Sequence, residues 1–134
     1  MKKTVQIISL ALVTFFAFSG CTKSGSSTDY ATQFAGTWTG TSSCGGTASI
    51  TLTRVNNTTL TSSGSVGGTG CVKSVTLNHT ASGNTLTIPT QTFTDGCGNS
   101  YTISGSGVLS GSTLTYTENV TGAVTASCVF TGTK

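Results

Sequence analysis

Apolar and hydroxyl-bearing residues alternate with a period of two along most of this chain. In one segment, Ala48, Ile50 and Leu52 are separated by serine and threonine residues. This period is typical of strands in a sheet with one buried face, and β-branched threonine suits the outer face. No segment has a convincing helical period. The pattern predicts about eight strands, at residues 37–43, 47–55, 59–66, 71–79, 85–93, 100–109, 113–120 and 124–132.

Turn-forming residues separate the predicted strands at short intervals. Examples are Asn56-Asn57, Ser82-Gly83-Asn84 and Asp95-Gly96. Short connections favour a meander of hairpins, and a sheet of this kind loses its exposed edges by closing on itself. We therefore predict an all-β fold, an eight-stranded antiparallel up-and-down barrel. A two-sheet β-sandwich is the alternative.

The amino end has the pattern of a secretory signal peptide. Lys2 and Lys3 precede an apolar stretch, residues 4–18, that is interrupted only by scattered Thr, Ser and Gln. A spanning helix needs about 20 apolar residues, so this stretch is too short. We predict a signal peptide at residues 1–20, a flexible Ser/Gly-rich tether at 21–33 and one folded domain at 34–134.

Ser19-Gly20-Cys21 resembles the lipobox of bacterial lipoproteins, in which the cysteine thiol is diacylated and its freed amine is then acylated. Phe18 stands where the commonest lipobox has an aliphatic residue, although looser forms occur in Bacteroidetes-type signals. The resemblance implies that Cys21 carries a lipid anchor. The alternative is ordinary cleavage nearby, with Cys21 left as a free thiol. Two or more acyl chains hold a protein stably on a bilayer.

The residues after Cys21 bear on the location of the anchored protein. In enteric lipoproteins an Asp after the cysteine is associated with inner-membrane retention, and this chain has Thr22 instead. The resemblance therefore implies the outer membrane rather than the inner one. No acidic residues follow Cys21 directly, as they do in the surface-export signal of Bacteroidetes lipoproteins. The periplasm-facing leaflet is slightly favoured over the cell surface.

The segment Phe34-Ala35-Gly36-Thr37-Trp38 resembles the Gly-x-Trp opening of lipocalin-like (calycin) barrels. The glycine-rich segment 105–114 and the ending Phe130-Thr131-Gly132 are similar to small lipocalin-like lipoproteins of Bacteroidetes. The resemblance implies that Trp38 packs across the barrel floor; a plain core aromatic is the alternative. The chain is short, with no carboxy-terminal helix and no long loops at the barrel mouth, so a large ligand cavity is not expected.

With Cys21 acylated, four of the five cysteines remain for pairing. In an exported chain such an even set indicates disulfides, with three possible connectivities. In a closed meander the last strand lies beside the first, which favours Cys44–Cys128 and Cys71–Cys97 over Cys44–Cys71 with Cys97–Cys128. The spacings lack the C-x₂-C pairs of zinc sites. No metal or other cofactor is therefore expected.

Charge excludes one class of partner. Without the signal peptide, the side chains carry a net charge of +1, from Lys23, Arg54, Lys73 and Lys134 against Asp29, Asp95 and Glu118. Four scattered cations cannot form a basic patch, so nucleic-acid binding is not expected.

Few residues are candidates for chemistry. His79 is expected on the surface at a strand end, and Asp95 is expected to cap its own loop. Glu118 follows the alternation of Tyr116 and Val120, so both Glu118 and Tyr116 are candidates for facing a ligand inside the barrel. A strand-end carboxylate in water is the alternative for Glu118. No catalytic set is recognisable.

The sequence therefore predicts a lipid-anchored envelope protein without catalysis. It would be a binding or interaction module for a small apolar ligand or a protein partner. The alternative is a structural protein with a filled barrel, because eight strands enclose just enough space for side chains or one small ligand.

Overall fold

The structure is a computed structural model that describes residues 27–134, and these residues form a closed barrel of eight antiparallel strands. Each strand pairs with its neighbour in the chain, and the last pairs with the first. This confirms the predicted all-β up-and-down barrel over the β-sandwich. The strands are β1 (Gly36–Ser42), β2 (Gly46–Arg54), β3 (Thr59–Val66), β4 (Lys73–Ser82), β5 (Thr85–Thr94), β6 (Ser100–Ser110), β7 (Thr113–Gly122) and β8 (Ala126–Thr133).

Several predictions fall outside this region. The signal peptide 1–20, the acylation site Cys21 and the tether residues 22–26 lie outside the described residues. Among the residues that are described, no helix is long and apolar enough to cross a membrane.

The strands run alternately up and down, so their connections define two ends of the barrel. The upper end carries the loops 43–45, 67–72, 95–99 and 123–125. The lower end carries the tight turns 55–58, 83–84 and 111–112.

Residues 27–35 precede β1 and close the lower end. The backbone N–H groups of Tyr30 and Ala31 donate to the carbonyl of Asn57, at 2.8 and 2.9 Å. Ala31 and Phe34 are fully buried. Because these side chains complete the core, the folded part begins before the predicted boundary at Phe34.

The large side chains that are fully buried lie in the lower half of the barrel and in this closing segment. Burying one such apolar side chain contributes about 1.5–3 kcal/mol, so this half supplies most of the hydrophobic stabilisation. In the upper half, Val66, Tyr101 and Ile103 are buried. The fully buried set is Trp38, Phe34, Leu52, Leu60, Leu86, Ile88, Leu114 and His79.

Two inward-facing glycines permit the barrel to close between β1 and β8. Gly40 and Gly132 are register partners across these strands. A Cβ at Gly40 would overlap the carbonyl oxygen of Thr131, and one at Gly132 would strike the ring of Phe130. Glycine at such a position allows the close backbone approach that a barrel corner needs.

The hydrogen-bond ladder is shortest between β2 and β3. These strands pair only at Thr53↔Thr61 and Arg54↔Leu60, next to the lower turn. Above that point no register joins residues 46–52 of β2 to residues 62–66 of β3. We call this interval the β2–β3 gap.

Two disulfides join elements at the upper end. Cys44–Cys128 ties loop 43–45 to β8, and Cys71–Cys97 ties loop 67–72 to loop 95–99. This is the pairing that closure of the barrel favours. Each disulfide links elements on one side of the β2–β3 gap, so neither crosses it.

Candidate functional site

Glu118 lies inside the upper half of the barrel, where it lines three adjoining cavities. One, of about 280 Å³, opens at the upper end beside Gly67, Tyr101 and Val124. A second, of about 230 Å³, lies towards Ala48 and Cys128. The third, of about 120 Å³, lies behind the β2–β3 gap. The upper half is thus not filled by side chains, and one carboxylate is common to its cavities.

The alternation along β7 explains the position of Glu118. Leu114 and Tyr116 are buried, and Glu118 is the next residue on the same face of the strand. Burial raises the pKa of the Glu118 carboxyl, because removal from water disfavours the charged form. Among residues 27–134 the one ion pair joins Arg54 to Asp29, at 2.9 Å, so it leaves Glu118 without a cationic partner.

Tyr116 joins Glu118 in this site. Its side chain is 4% exposed, and it lines two of the three cavities together with Glu118. Burial, and then the nearby charge of Glu118, raise the pKa of the Tyr116 hydroxyl. The phenol therefore stays protonated and can donate a hydrogen bond.

His79 was expected at the surface, and this prediction is wrong. The strand β4 continues to Ser82 instead of ending at His79, so the alternation turns the imidazole into the core, where it is 0% exposed. Its Nε2 lies 2.8 Å from Oγ of Ser62, and its ring centroid lies 6.0 Å from that of Tyr116. Burial lowers the pKa of His79 to about 4, so the imidazole is neutral at pH 7.

The Ser62–His79 pair resembles two members of a catalytic triad, but among residues 27–134 no third member joins them. A triad needs a carboxylate that accepts the N–H at Nδ1 of the histidine. Within the described part of the chain, Nδ1 of His79 is buried without a hydrogen-bond partner. Ser62 lies beside the cavity behind the gap. The pair therefore adds a polar wall to the site rather than a recognisable catalytic set.

Asp95 organises one of the upper loops, as its turn sequence predicts. Its Oδ1 accepts hydrogen bonds from the backbone N–H groups of Cys97 and Asn99, both at 2.9 Å. Its Oδ2 accepts from the Tyr101 hydroxyl at 3.2 Å. These hydrogen bonds, above all the one from the Asn99 side chain, lower the pKa of the Asp95 carboxyl. Asp95 thus supports the rim of the largest Glu118 cavity without lining it.

Trp38 lies at the lower end, away from Glu118 and Tyr116. Its indole N–H donates to the carbonyl of Phe34 at 2.8 Å. The ammonium of Lys134 lies 4.7 Å from the Trp38 ring centroid and donates to the carbonyl of Ala35 at 2.8 Å. The structure therefore joins Glu118 and Tyr116 in one site and leaves Trp38 in the closed floor.

Sequence reasoning missed the contribution of β3 to this site. Ser62 and Gly64 occupy inward positions where other strands carry leucine or isoleucine, and both line the cavity behind the gap. The run of small residues from Ser62 to Ser65 was a signal that this strand cannot fill the core.

Comparisons of this chain with protein-family models, with curated proteins and with solved structures found no match.

Proposed function

We propose that this chain is a lipid-anchored envelope protein whose small lipocalin-like barrel binds a ligand at its upper end, without catalysis. The anchor rests on the signal-like residues 1–20 and on the lipobox resemblance at Cys21. The binding role rests on one observation. A half-buried carboxylate, Glu118, lines three cavities and has no cationic partner among residues 27–134.

The site favours a binding module over the alternative, a structural protein with a filled barrel. A filled barrel would carry large apolar side chains along the whole interior, and here they are concentrated in the lower half. A half-buried carboxylate also carries a desolvation cost, which a bound cation or hydrogen-bond donor would offset.

The cavities indicate a ligand with an apolar body and a cationic or hydrogen-bond-donating end. Val120, Val124 and Ala126 line the largest one, next to Glu118. Such apolar walls favour an alkyl or ring portion, while Glu118 would accept from the polar end.

The anchor and the barrel together define an orientation. Ser27 lies at the lower end, where its carbonyl accepts a hydrogen bond from the Asn57 side chain at 3.2 Å. The short segment from Cys21 to Ser27 spans at most about 20 Å when fully extended. An acylated Cys21 therefore holds the closed floor near the membrane and leaves the open end accessible. The outer membrane is the proposed location, with the periplasm-facing leaflet slightly favoured.

A series of small probes tests the ligand site. Hexylammonium, hexanol and hexanoate share one alkyl chain and differ in their polar end, and their binding to residues 27–134 can be followed by NMR. We expect hexylammonium to bind most tightly and hexanoate most weakly. Glu118→Gln should weaken hexylammonium about tenfold, which corresponds to about 1.4 kcal/mol. Asp29→Asn, the same charge change at the lower end, is the control.

Two results would overturn this assignment. Equal binding of hexanoate and hexylammonium would exclude Glu118 as the orienting group. No binding of any probe would favour the structural alternative.

The anchor has its own test. Metabolic labelling with a palmitate analogue should mark the wild-type protein and not the Cys21→Ser variant. Equal labelling of the two would refute lipidation at this cysteine.

A further inference from the structure

Within the described part of the chain, the edge of β3 at the gap carries backbone groups that pair with no strand. The N–H of Ala81 donates to the carbonyl of Thr58. Together with the β3–β4 register, this bond shows which residues of β3 direct their backbone N–H and C=O groups towards β4. By the alternation along the strand, the N–H and C=O groups of Ser63 and Ser65 face β2 instead of β4. The β2–β3 register ends at Thr53↔Thr61, so β2 gives these groups no partner.

The facing edge of β2 likewise has no strand partner among residues 27–134. Thr53 is hydrogen-bonded to β3, and by the alternation along the strand the backbone groups of Ser49 and Thr51 also face the gap. Two edges thus present donors and acceptors to the same space. An unpaired edge of this kind is a template for another extended segment.

The next shortest strand pairing, between β4 and β5, is extended by a side chain. There the Gln91 amide takes the place of a backbone peptide. Its Oε1 accepts from the Asn78 N–H, and its Nε2 donates to the Asn78 carbonyl, both at 2.9 Å. The Cys71–Cys97 disulfide then joins the loops above it. The described part of the chain places no such substitute in the β2–β3 gap.

The two sides of the gap differ in chemistry. Outside lies a groove of about 370 Å³ lined only by serine and threonine, including Thr51 and Ser63. Inside lies the 120 Å³ cavity with Tyr116 and Glu118. Ser49, Ser62 and Ser63 line both spaces. At the gap, therefore, only a few shared small residues separate a neutral hydroxyl surface from a cavity with a half-buried carboxylate.

We propose that the β2–β3 gap binds an extended peptide segment of a partner protein by strand addition. The peptide backbone pairs with Ser63 and Ser65, and a lysine or arginine side chain of the peptide reaches through the gap to Glu118. Strand addition obtains affinity from main-chain hydrogen bonds and specificity from pockets for alternate side chains. This proposal rests on the proposed function in one respect, since it takes Glu118 as the charge that is recognised.

The test uses designed peptides and residues 27–134. The probe is the capped peptide Ac-Thr-Val-Thr-Lys-Thr-Val-Thr-NH₂, with copies carrying norleucine or glutamate at the centre and one with N-methylated alternate peptide bonds. We expect the lysine peptide to bind about fivefold more tightly than the norleucine peptide, as an exposed or half-buried ion pair allows. The N-methylated copy should not bind. Hydrogen exchange should show slower exchange at the Ser63 and Ser65 amides.

Variants of the gap supply the matched controls. Ser63→Pro removes the N–H that faces the gap and should abolish binding, whereas Ser63→Ala keeps it and should bind as wild type. A Thr51→Cys/Ser63→Cys disulfide forms only when β2 and β3 come together, so the oxidised variant has a closed gap and should also not bind the peptide. The Thr92→Cys/Thr102→Cys pair, at register partners of the paired strands β5 and β6, is the control disulfide.

The outcomes separate this inference from the proposed function. Hexylammonium binding with no peptide binding would overturn strand addition and leave the ligand site intact. Binding of the N-methylated peptide, or of any peptide to the disulfide-closed gap, would also overturn it. If the Ser63 amide, in the absence of peptide, exchanges more slowly as the protein concentration rises, that result would identify a second copy of this chain as the occupant and refute the peptide proposal. If neither probe class binds, both proposals fail.

Discussion

The lower and upper halves of this barrel share the same strands but are stabilised differently. In the lower half, Trp38, Leu60 and Leu114 fill the interior, and residues 27–35 close the end. In the upper half, Ser62, Gly64 and Glu118 occupy inward positions, and two disulfides join the surrounding elements. Packing thus stabilises the lower end, whereas covalent links allow the upper end to remain partly empty. Cavities and an open strand edge occur where packing is absent.

Removal of a disulfide should have the largest effect on the free energy of unfolding. Replacing both cysteines of Cys44–Cys128 with serine should cost about 4.6 kcal/mol of unfolding free energy, from its separation of 84 residues. The Cys71–Cys97 bridge spans 26 residues, so its loss should cost about 3.5 kcal/mol. Urea denaturation of the two double-serine variants measures both values. Costs below about 1 kcal/mol would show that the upper half does not depend on these links.

Truncation of an apolar side chain should have the next largest effect, and it should cost more unfolding free energy in the lower half than in the upper half. Leu60→Ala leaves a cavity in the filled lower half and should cost about 3 kcal/mol. Ile50 already borders a cavity in the upper half, so Ile50→Ala should cost less than about 1.5 kcal/mol. Urea midpoints measured side by side test this. Equal losses would mean that the upper half is as well packed as the lower.

Acid should weaken the lower half through His79. Its folded pKa of about 4 lies below the ordinary value of 6.5, so the unfolded chain binds the proton more readily. Stability from this group is complete above pH 6.5 and falls by about 3 kcal/mol as the pH drops from 7 to 4. His79→Gln should remove this part of the pH dependence in denaturation curves at pH 4 and pH 7. An unchanged slope would contradict a neutral buried imidazole.

Glu118 should have the smallest effect on stability, and its pH dependence should be opposite in sign to that of His79. Burial raises its folded pKa, so the protonated form is favoured in the folded state and stability falls as the pH rises above the ordinary value of 4.5. Glu118→Gln should therefore stabilise the protein at pH 7, by up to about 1 kcal/mol. Asp29→Asn should destabilise instead, because the carboxyl of Asp29 has a lowered pKa from its bonds to Thr32 and Arg54. Thermal unfolding of the two variants compares them.

Much of the fold followed from local pattern. The alternation around Ile50 and Leu52 identified strands, and the turn at Ser82-Gly83-Asn84 separated β4 from β5, because side-chain period and turn chemistry are properties of neighbouring residues. The same alternation put Glu118 and Tyr116 on one face. His79 was misplaced because strand ends depend on hydrogen bonds to a neighbouring strand, which sequence spacing does not contain.

The sequence predicted about eight short strands with one apolar face, and it favoured Cys44–Cys128 with Cys71–Cys97 over the alternative pairing; the structure contains eight strands and both of these disulfides. Which parts of the closed sheet are filled or paired follows from tertiary packing and not from the local pattern. The pairing of β2 with β3 ends at Thr53, and cavities remain around Glu118. Both outcomes depend on side chains that come from strands far apart in the chain and meet in one interior. Local pattern sets the face of each side chain, whereas the space left between faces follows from how all eight strands pack together.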